Sequence, residues 1–261
     1  MSIGLLVSQT SVVRQVKTWA ARRFLARLQR ITQRMPVELR QVERGRIMVL
    51  APHMDDEVIG AGGTLAIHQH INSTLEIVFT TDCAGPKVAL GGKSTSEIRQ
   101  EEARQVADRF GYEIVGMLAH PDGNLSLHEE ECRENLARLI SEWKPDQIFV
   151  PFPGDHHRDH QATAASLAGA ITKTGWRGNV WCHEVWSTLW PNVEIDITEV
   201  METKRESIAL YASQVAGMSY VESALGLNRY RGLKVRVDYA EAFYVTDARD
   251  YPTLADTLRQ I

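Results

Sequence analysis

The sequence predicts an α/β fold: a mostly parallel sheet with helices on both faces, preceded by a basic amphipathic helix. Three observations carry this. From residue 46 onward, short apolar runs alternate with segments of helical spacing, the order that builds parallel sheets from strand–helix–strand units. Hydrophobic residues are 44% of 261, enough for one substantial core. Charge is uneven: the first 46 residues hold ten basic and two acidic groups, whereas the whole chain carries 29 and 33.

From Val12 the apolar residues fall at Val16, Trp19, Ala20, Phe24, Leu28, Ile31 and Met35. Steps of three and four mark one helix face. Ser11 is placed to cap this helix and Pro36 to end it, so a helix is predicted over 11–35. Residues 1–45 are read as an extension and 46–261 as one domain. The extension has three readings: a helix packed on its own core or on a second copy, a helix lying on an anionic membrane surface, or an Arg-rich targeting segment.

Arg46–Ala51 is a short apolar run ending in a polar loop, hence a strand. A Gly-led helix follows over Gly60–Gln69, then a strand over Leu75–Thr81. A Gly-rich loop spans Asp82–Lys93. Ser94–Phe110 has helical spacing and stops at Gly111. Glu113–Leu118 is a strand. Leu127–Trp143 is a helix halted before Pro145. Gln147–Val150 is a strand, Asp159–Lys173 a helix, Val180–Val185 a strand, Met201–Tyr211 a helix and Ala242–Val245 a last strand.

A formal charge of −4 and a pI near 6.1 argue against a dedicated nucleic-acid binder, which would be basic as a domain. No run approaches the ~18 apolar residues of a membrane span. The three cysteines, Cys83, Cys132 and Cys182, form no CxxC pair, which fits a reducing cytoplasm.

In parallel α/β sheets, sites lie beyond the C-terminal ends of strands. Two such loops are dense in metal-ligand side chains. After the first strand comes Pro52-His53-Met54-Asp55-Asp56-Glu57. After the fourth comes Pro151 to His160, with Asp155, His156, His157, Arg158, Asp159 and His160. Two imidazoles and one carboxylate with an open position make up many hydrolytic zinc sites. A further carboxylate can act as base and a further histidine can stabilise or protonate an intermediate. Either loop alone reads equally well as a helix start favoured by the helix dipole; the pair, on one edge, does not. His68, His70, His120, His128 and His183 show no partner pattern. Asp155 and His156 are ambiguous neighbours of the site.

Ala51-Pro52-His53-Met54-Asp55-Asp56-Glu57 followed by Gly60-Ala61-Gly62-Gly63-Thr64 resembles the opening motif of the LmbE-like (PIG-L) deacetylases. His157-Arg158-Asp159-His160 resembles their second motif. Arg99 with Glu102, Asp122-Gly123, Tyr211 to Gln214, and Glu241 to Phe243 are weaker echoes in the same order. The resemblance runs from Arg46 to Val245. It implies a Rossmann-like sheet and metal-dependent removal of acetate from an N-acetylglucosamine unit. It implies zinc held by His53, Asp56 and His160, with ferrous iron as an alternative for such a donor set. Asp55 resembles the general base, His157 the oxyanion stabiliser and proton donor, and Asp159 the carboxylate that orients a motif histidine. Arg99 and Asp122 resemble sugar-contacting positions.

Two positions depart from the family pattern. Met54 replaces a frequent proline, leaving a softer turn. Arg158 also replaces a proline, and either binds an anionic substrate group or faces solvent. Three rival readings stand beside the deacetylase: an H-x-D…H iron oxygenase, a DHH-type phosphoesterase, and a catalytically silent sugar-binding module. The loops near Asp82–Ser96 and Trp186–Val193 are the expected specificity loops. The basic helix tilts the expected substrate toward a membrane-proximal one.

Overall fold

The computed structural model describes residues 37–85 and 93–259. The predicted helix over 11–35 lies outside the described residues, as does part of the Gly-rich loop.

The strands are β1 (Glu38–Leu39), β2 (Arg46–Ala51), β3 (Thr74–Thr81), β4 (Glu113–His120), β5 (Gln147–Pro151), β6 (Asn179–His183), β7 (Val193–Asp196) and β8 (Ala240–Asp247). The helices are α1 (Asp56–His70), α2 (Thr95–Phe110), α3 (Glu129–Trp143), α4 (Arg158–Thr174), α5 (Met201–Leu210), α6 (Ala212–Val215), α7 (Tyr220–Val235) and α8 (Tyr251–Arg259). They form one eight-stranded sheet in the order β1-β7-β8-β6-β5-β2-β3-β4. Every pairing is parallel except those of β8 with β6 and β7.

The β2 sequence shows why both faces are covered. Ile47, Val49 and Ala51 point into one apolar cluster, with Val58 and Leu65 of α1, Phe110 of α2 and Ile208 of α5. Met48 and Leu50 point into the other, with Leu136 of α3, Leu167 of α4 and Tyr251 of α8. Successive side chains on a strand face opposite ways, so an unbroken apolar run demands cover on both sides. Phe149, Trp181 and Phe243 carry the first cluster across β5, β6 and β8; the first two rings stack at 5.3 Å.

Local signals set the boundaries. Ser94 caps α2 in a reciprocal box with Glu97, and Gly111 ends it in a left-handed conformation, as the spacing predicts. Helix α1 starts earlier than predicted, at Asp56. The structure adds β1, β7, α6, α7 and α8 to the elements read from the sequence. All three cysteines are free and buried. Among the described residues no helix is long and apolar enough to cross a membrane.

The chain runs from β2 outward to β3 and β4, then returns to place β5 on the other side of β2. That reversal opens a crevice beyond the ends of β2 and β5. Their alignment, Val49 opposite Phe149, brings the two motif loops together there.

Candidate active site

The loop after β2 is held from the next strand. Pro52 O accepts from the Thr81 amide at 3.1 Å and from the Thr81 hydroxyl at 2.8 Å. Met54 is buried in the core, and its amide meets Cys83 Sγ at 3.3 Å. Packing therefore fixes the turn that a proline would otherwise stiffen. Asp55 precedes α1 with φ at +144°, a conformation rare outside glycine.

His53 and Asp56 are both buried. Asp56 Oδ2 accepts the His53 amide at 2.8 Å, lies 3.1 Å from His53 Nδ1 and 3.2 Å from His160 Nε2. One carboxylate oxygen thus joins a histidine from each motif. On its other edge, His53 Nε2 is 3.3 Å from Asp159 Oδ2 and 3.3 Å from Asp122 Oδ1. Asp159 is itself fixed by the amides of Gly123 at 2.6 Å and Leu125 at 3.1 Å. Gly123, with φ at +74°, adopts the left-handed backbone that aims its amide at this carboxylate. Asp159 thus stands, itself fixed, against the His53 ring.

His157 caps α4, its Nδ1 accepting the Asp159 amide at 3.3 Å. Its ring lies 4.7 Å from that of His53 and 4.8 Å from that of His160. The nearest ligand atoms of His53, His157 and His160 all fall within 4.8 Å of one another, and so do those of His53, Asp122 and Asp159. His160 is fully buried, and its ring nitrogens face Asp56 and Asp155 at 3.2 and 3.5 Å without an aligned hydrogen bond. Orphaned imidazole nitrogens beside converging carboxylates suit a divalent cation.

Charge is redistributed accordingly. Burial opposes a positive His53, but hydrogen bonds to Asp122, Asp159 and Asp56 prevail and hold its pKa well above the ordinary value. His160 is raised to about 9, Asp56 and Asp155 outweighing burial. Burial, then the charge of Asp56, pushes Asp55 well up. Burial and the two neighbouring histidines push His157 down. A carboxyl raised by burial and an imidazole kept neutral share one cavity.

That cavity, of about 140 Å³, is lined by His53, Asp55, Asp56, Arg99, Asp122 and His157, together with Ile59, Trp186 and Tyr220. Arg158 is not on its wall; it is exposed, with its guanidinium 3.5 Å from Gly123 O.

Several of the weaker echoes also hold elements together. Arg99 pairs with Gln214. Glu102 accepts from the amide and hydroxyl of Ser213 at 2.8 and 2.7 Å. Glu241 accepts from the amides of Gly63 and Thr64 and from Lys204 Nζ at 2.7 Å. Sequence reasoning left Asp155 ambiguous. It is buried, accepts three backbone amides, and lies 3.5 Å from His160 Nδ1. Trp186 and Tyr220 carried no signal beyond the expected specificity loop near Trp186. His120 and His128, without a pattern in sequence, stack at 5.7 Å outside this cavity and both approach Glu131.

Residues 48–171 match the family model described as PIG-L, GlcNAc-PI de-N-acetylase. The match ends within α4 and includes both motif loops. The chain is 26% identical over 189 residues to a diacetylchitobiose deacetylase of Thermococcus kodakarensis, covering 65% of this chain and 70% of that protein. It is 24% identical over 191 residues to a probable N-acetyl-α-D-glucosaminyl L-malate deacetylase of Bacillus cereus, covering 66% and 84%. The same fold is seen in the N,N'-diacetylchitobiose deacetylase of Pyrococcus horikoshii. That structure superposes with a TM-score of 0.70 at 23% identity, covering 79% of this chain and 85% of the other.

Proposed function

We propose that this protein is a zinc-dependent hydrolase that removes the acetyl group from an N-acetylglucosamine unit. The observation that carries the reading is the single Asp56 oxygen between His53 and His160, with Asp55 and His157 on the same cavity wall. The curated relatives named above are deacetylases of N-acetylated sugars.

In this reading His53, Asp56 and His160 hold the ion. Zinc there supplies Lewis-acid polarisation of a carbonyl and lowers the pKa of a water toward ~7. Asp55 takes the proton of the attacking water; burial, then the charge of Asp56, raises its pKa and makes it a stronger base than an ordinary carboxylate. His157 remains neutral. Because Nδ1 accepts the Asp159 amide, the ring proton is assigned to Nε2, from which it can be donated to the developing oxyanion. The carbon–nitrogen bond breaks, the amine leaves with a proton delivered by Asp55 or His157, and acetate remains. Asp159 and Asp122 hold the His53 ring. Arg99 and Asp122 line the space for the sugar; Arg158, on the exposed surface, is left out of the set.

The test is release of free amine from N-acetylglucosamine conjugates by zinc-loaded and chelator-stripped protein. Metal-dependent release is expected. Absence of release from every conjugate, with metal shown to be bound, overturns the reading. We further place the protein in the reducing cytoplasm, which suits its buried free cysteines. Peripheral membrane contact or self-association through residues 11–35 is tested by liposome flotation and sedimentation of the chain with and without them.

A further inference from the structure

A second cavity, of about 210 Å³, adjoins the first. Ile59, Trp186 and Tyr220 are walls of both. Its remaining surface is largely apolar, with Met218 at one side and Ala224 and Leu227 of α7 along another. The carboxylate on its wall is already committed. Glu184 accepts the Leu189 amide at 2.8 Å and pairs through both oxygens with Arg231. Among the described residues, no other charged side chain lines it. Asn228, also on the wall, donates Nδ2 to Ala240 O at 2.9 Å and leaves Oδ1 buried without a partner. The cavity therefore offers contact area and a few hydroxyl-bearing residues, Ser219, Tyr220 and Ser223, and among the described residues no free charge.

Its position is tied to the reacting centre. The Trp186 ring stacks with His157 at 6.5 Å and meets Tyr220 edge-on at 6.1 Å. The Trp186 amide is anchored on Asp155 Oδ2 at 2.9 Å, the carboxylate beside His160. Ile59, Trp186 and Tyr220, shared by both walls, set the second cavity immediately beside the first. A cavity of about 150 Å³ lined by apolar side chains suffices for a benzene ring, so this one takes a ring or an alkyl segment.

We propose that this cavity is the subsite for an apolar aglycone, an aromatic or alkyl group attached to the N-acetylated sugar. The inference rests on the deacetylase reading and narrows its substrate class. It disfavours a glycoside whose second half is anionic, because among the described residues no free cation lines the cavity to meet it.

The experiment compares kcat/KM for acetate release by the zinc-loaded protein from three substrates: N-acetylglucosamine, its phenyl glycoside, and its L-malate glycoside. One added apolar group in such a pocket is worth about tenfold or more. The phenyl glycoside is expected to exceed the free sugar by at least that factor, and the malate conjugate is not. Met218→Lys, at a side chain 47% exposed, and Leu227→Asp each put charge on the wall and are expected to bring the ratio toward one. Met218 is outside the packed core, so the first variant tests the wall without disturbing the fold. Equal turnover of phenyl glycoside and free sugar, or a preference that both variants leave intact, overturns the subsite and leaves the deacetylase reading standing. No acetate from any of the three overturns both.

Discussion

Asp155→Asn tests whether the carboxylate that joins the two halves of the site acts through geometry or is a bystander. Asp155 Oδ1 accepts the His157 amide at 2.9 Å; Oδ2 accepts the amides of Trp186 at 2.9 Å and Ser187 at 3.1 Å. Asparagine keeps the volume but supplies one acceptor and one NH₂. Its best placement puts oxygen against Trp186 and Ser187, so the NH₂ faces the His157 amide, donor to donor. A hydrogen bond to a charged group is worth about 1.5–3 kcal/mol, and an unsatisfied buried donor costs about 1–3 kcal/mol. A stability loss of about 3 kcal/mol is expected, read by urea unfolding of metal-stripped protein. The substitution also removes the charge 3.5 Å from His160 Nδ1. Loss of such a supporting partner lowers metal affinity roughly 10–100-fold, read by competition with a chromogenic chelator. Unfolding within about 0.5 kcal/mol of the parent, the range of a surface change, together with unchanged metal affinity, refutes the reasoning. A stability loss with unchanged affinity refutes the part assigned to His160.

Three other perturbations follow from the same geometry. Asp55→Asn is expected to abolish turnover while retaining metal; near-parental kcat with bound metal removes Asp55 as the base. Gly60→Ala places a Cβ 2.0 Å from Nδ1 of buried His183, and overpacking of about 1–3 kcal/mol outweighs the helix-propensity gain of up to ~1 kcal/mol, so a lower thermal midpoint is expected and a raised one refutes the contact. His68 is buried, its ring edge-on to Phe149 at 6.1 Å, and burial lowers its pKa to about 4. The unfolded chain protonates near 6.5 and the folded chain does not, so this contribution is full above pH 6.5 and lost as pH falls toward 4. It amounts to about 2 kcal/mol by pH 5, and His68→Gln is expected to flatten that part of the stability–pH curve.

Much of this was legible because local signals agreed with the global arrangement. The apolar runs of β2 and β5 and the Ser94 cap with its Gly111 stop are visible without tertiary information. The rule that parallel strands end at a shared edge then brings His53 and His160 together from 107 residues apart. The illegible parts depend on partners that sequence spacing does not show. Asp155 becomes an anchor only because the amides of Trp186 and Ser187 fold back onto it. His183 has no pattern around it and is set by a close approach to Gly60. Helix α7 hides its period because Tyr230 and Leu233 are exposed, which blurs the apolar stripe. Strand β7 is four residues long and buries Glu194 with both carboxylate oxygens unpartnered, so it lacks an apolar run. Helix α8 carries a signal in Tyr251, Leu254, Ala255 and Leu258 at helical spacing, obscured by Pro252 at its second position.

The strained turn explains why the echoes far from the motifs belong to the same site. A residue held outside its usual φ/ψ regions costs about 1–3 kcal/mol and persists only where its surroundings over-determine it. Asp55, with φ at +144°, is such a residue. Its carbonyl accepts the amides of Val58 and Ile59 at 3.2 and 3.0 Å, and its amide donates to Glu57 Oε2 at 3.2 Å. Glu57 in turn accepts the hydroxyls of Tyr112 at 3.1 Å and Tyr211 at 2.5 Å. Burial, opposed by the Tyr211 hydroxyl, still raises its pKa to about 7, so those hydroxyls are what keep a carboxylate tolerable there. Tyr211 opens the segment whose Ser213 and Gln214 bind Glu102 and Arg99, and Arg99 lines the cavity beside Asp55. A closed circuit therefore runs from the first motif through α1, Tyr211, α6 and α2 back to the cavity. The circuit holds the Asp55 carboxylate in a place that its own backbone preference would not choose. Conformational strain concentrated at the proposed base, and supported through Tyr211, Ser213, Gln214, Glu102 and Arg99, is what a site built to hold one carboxylate in position requires.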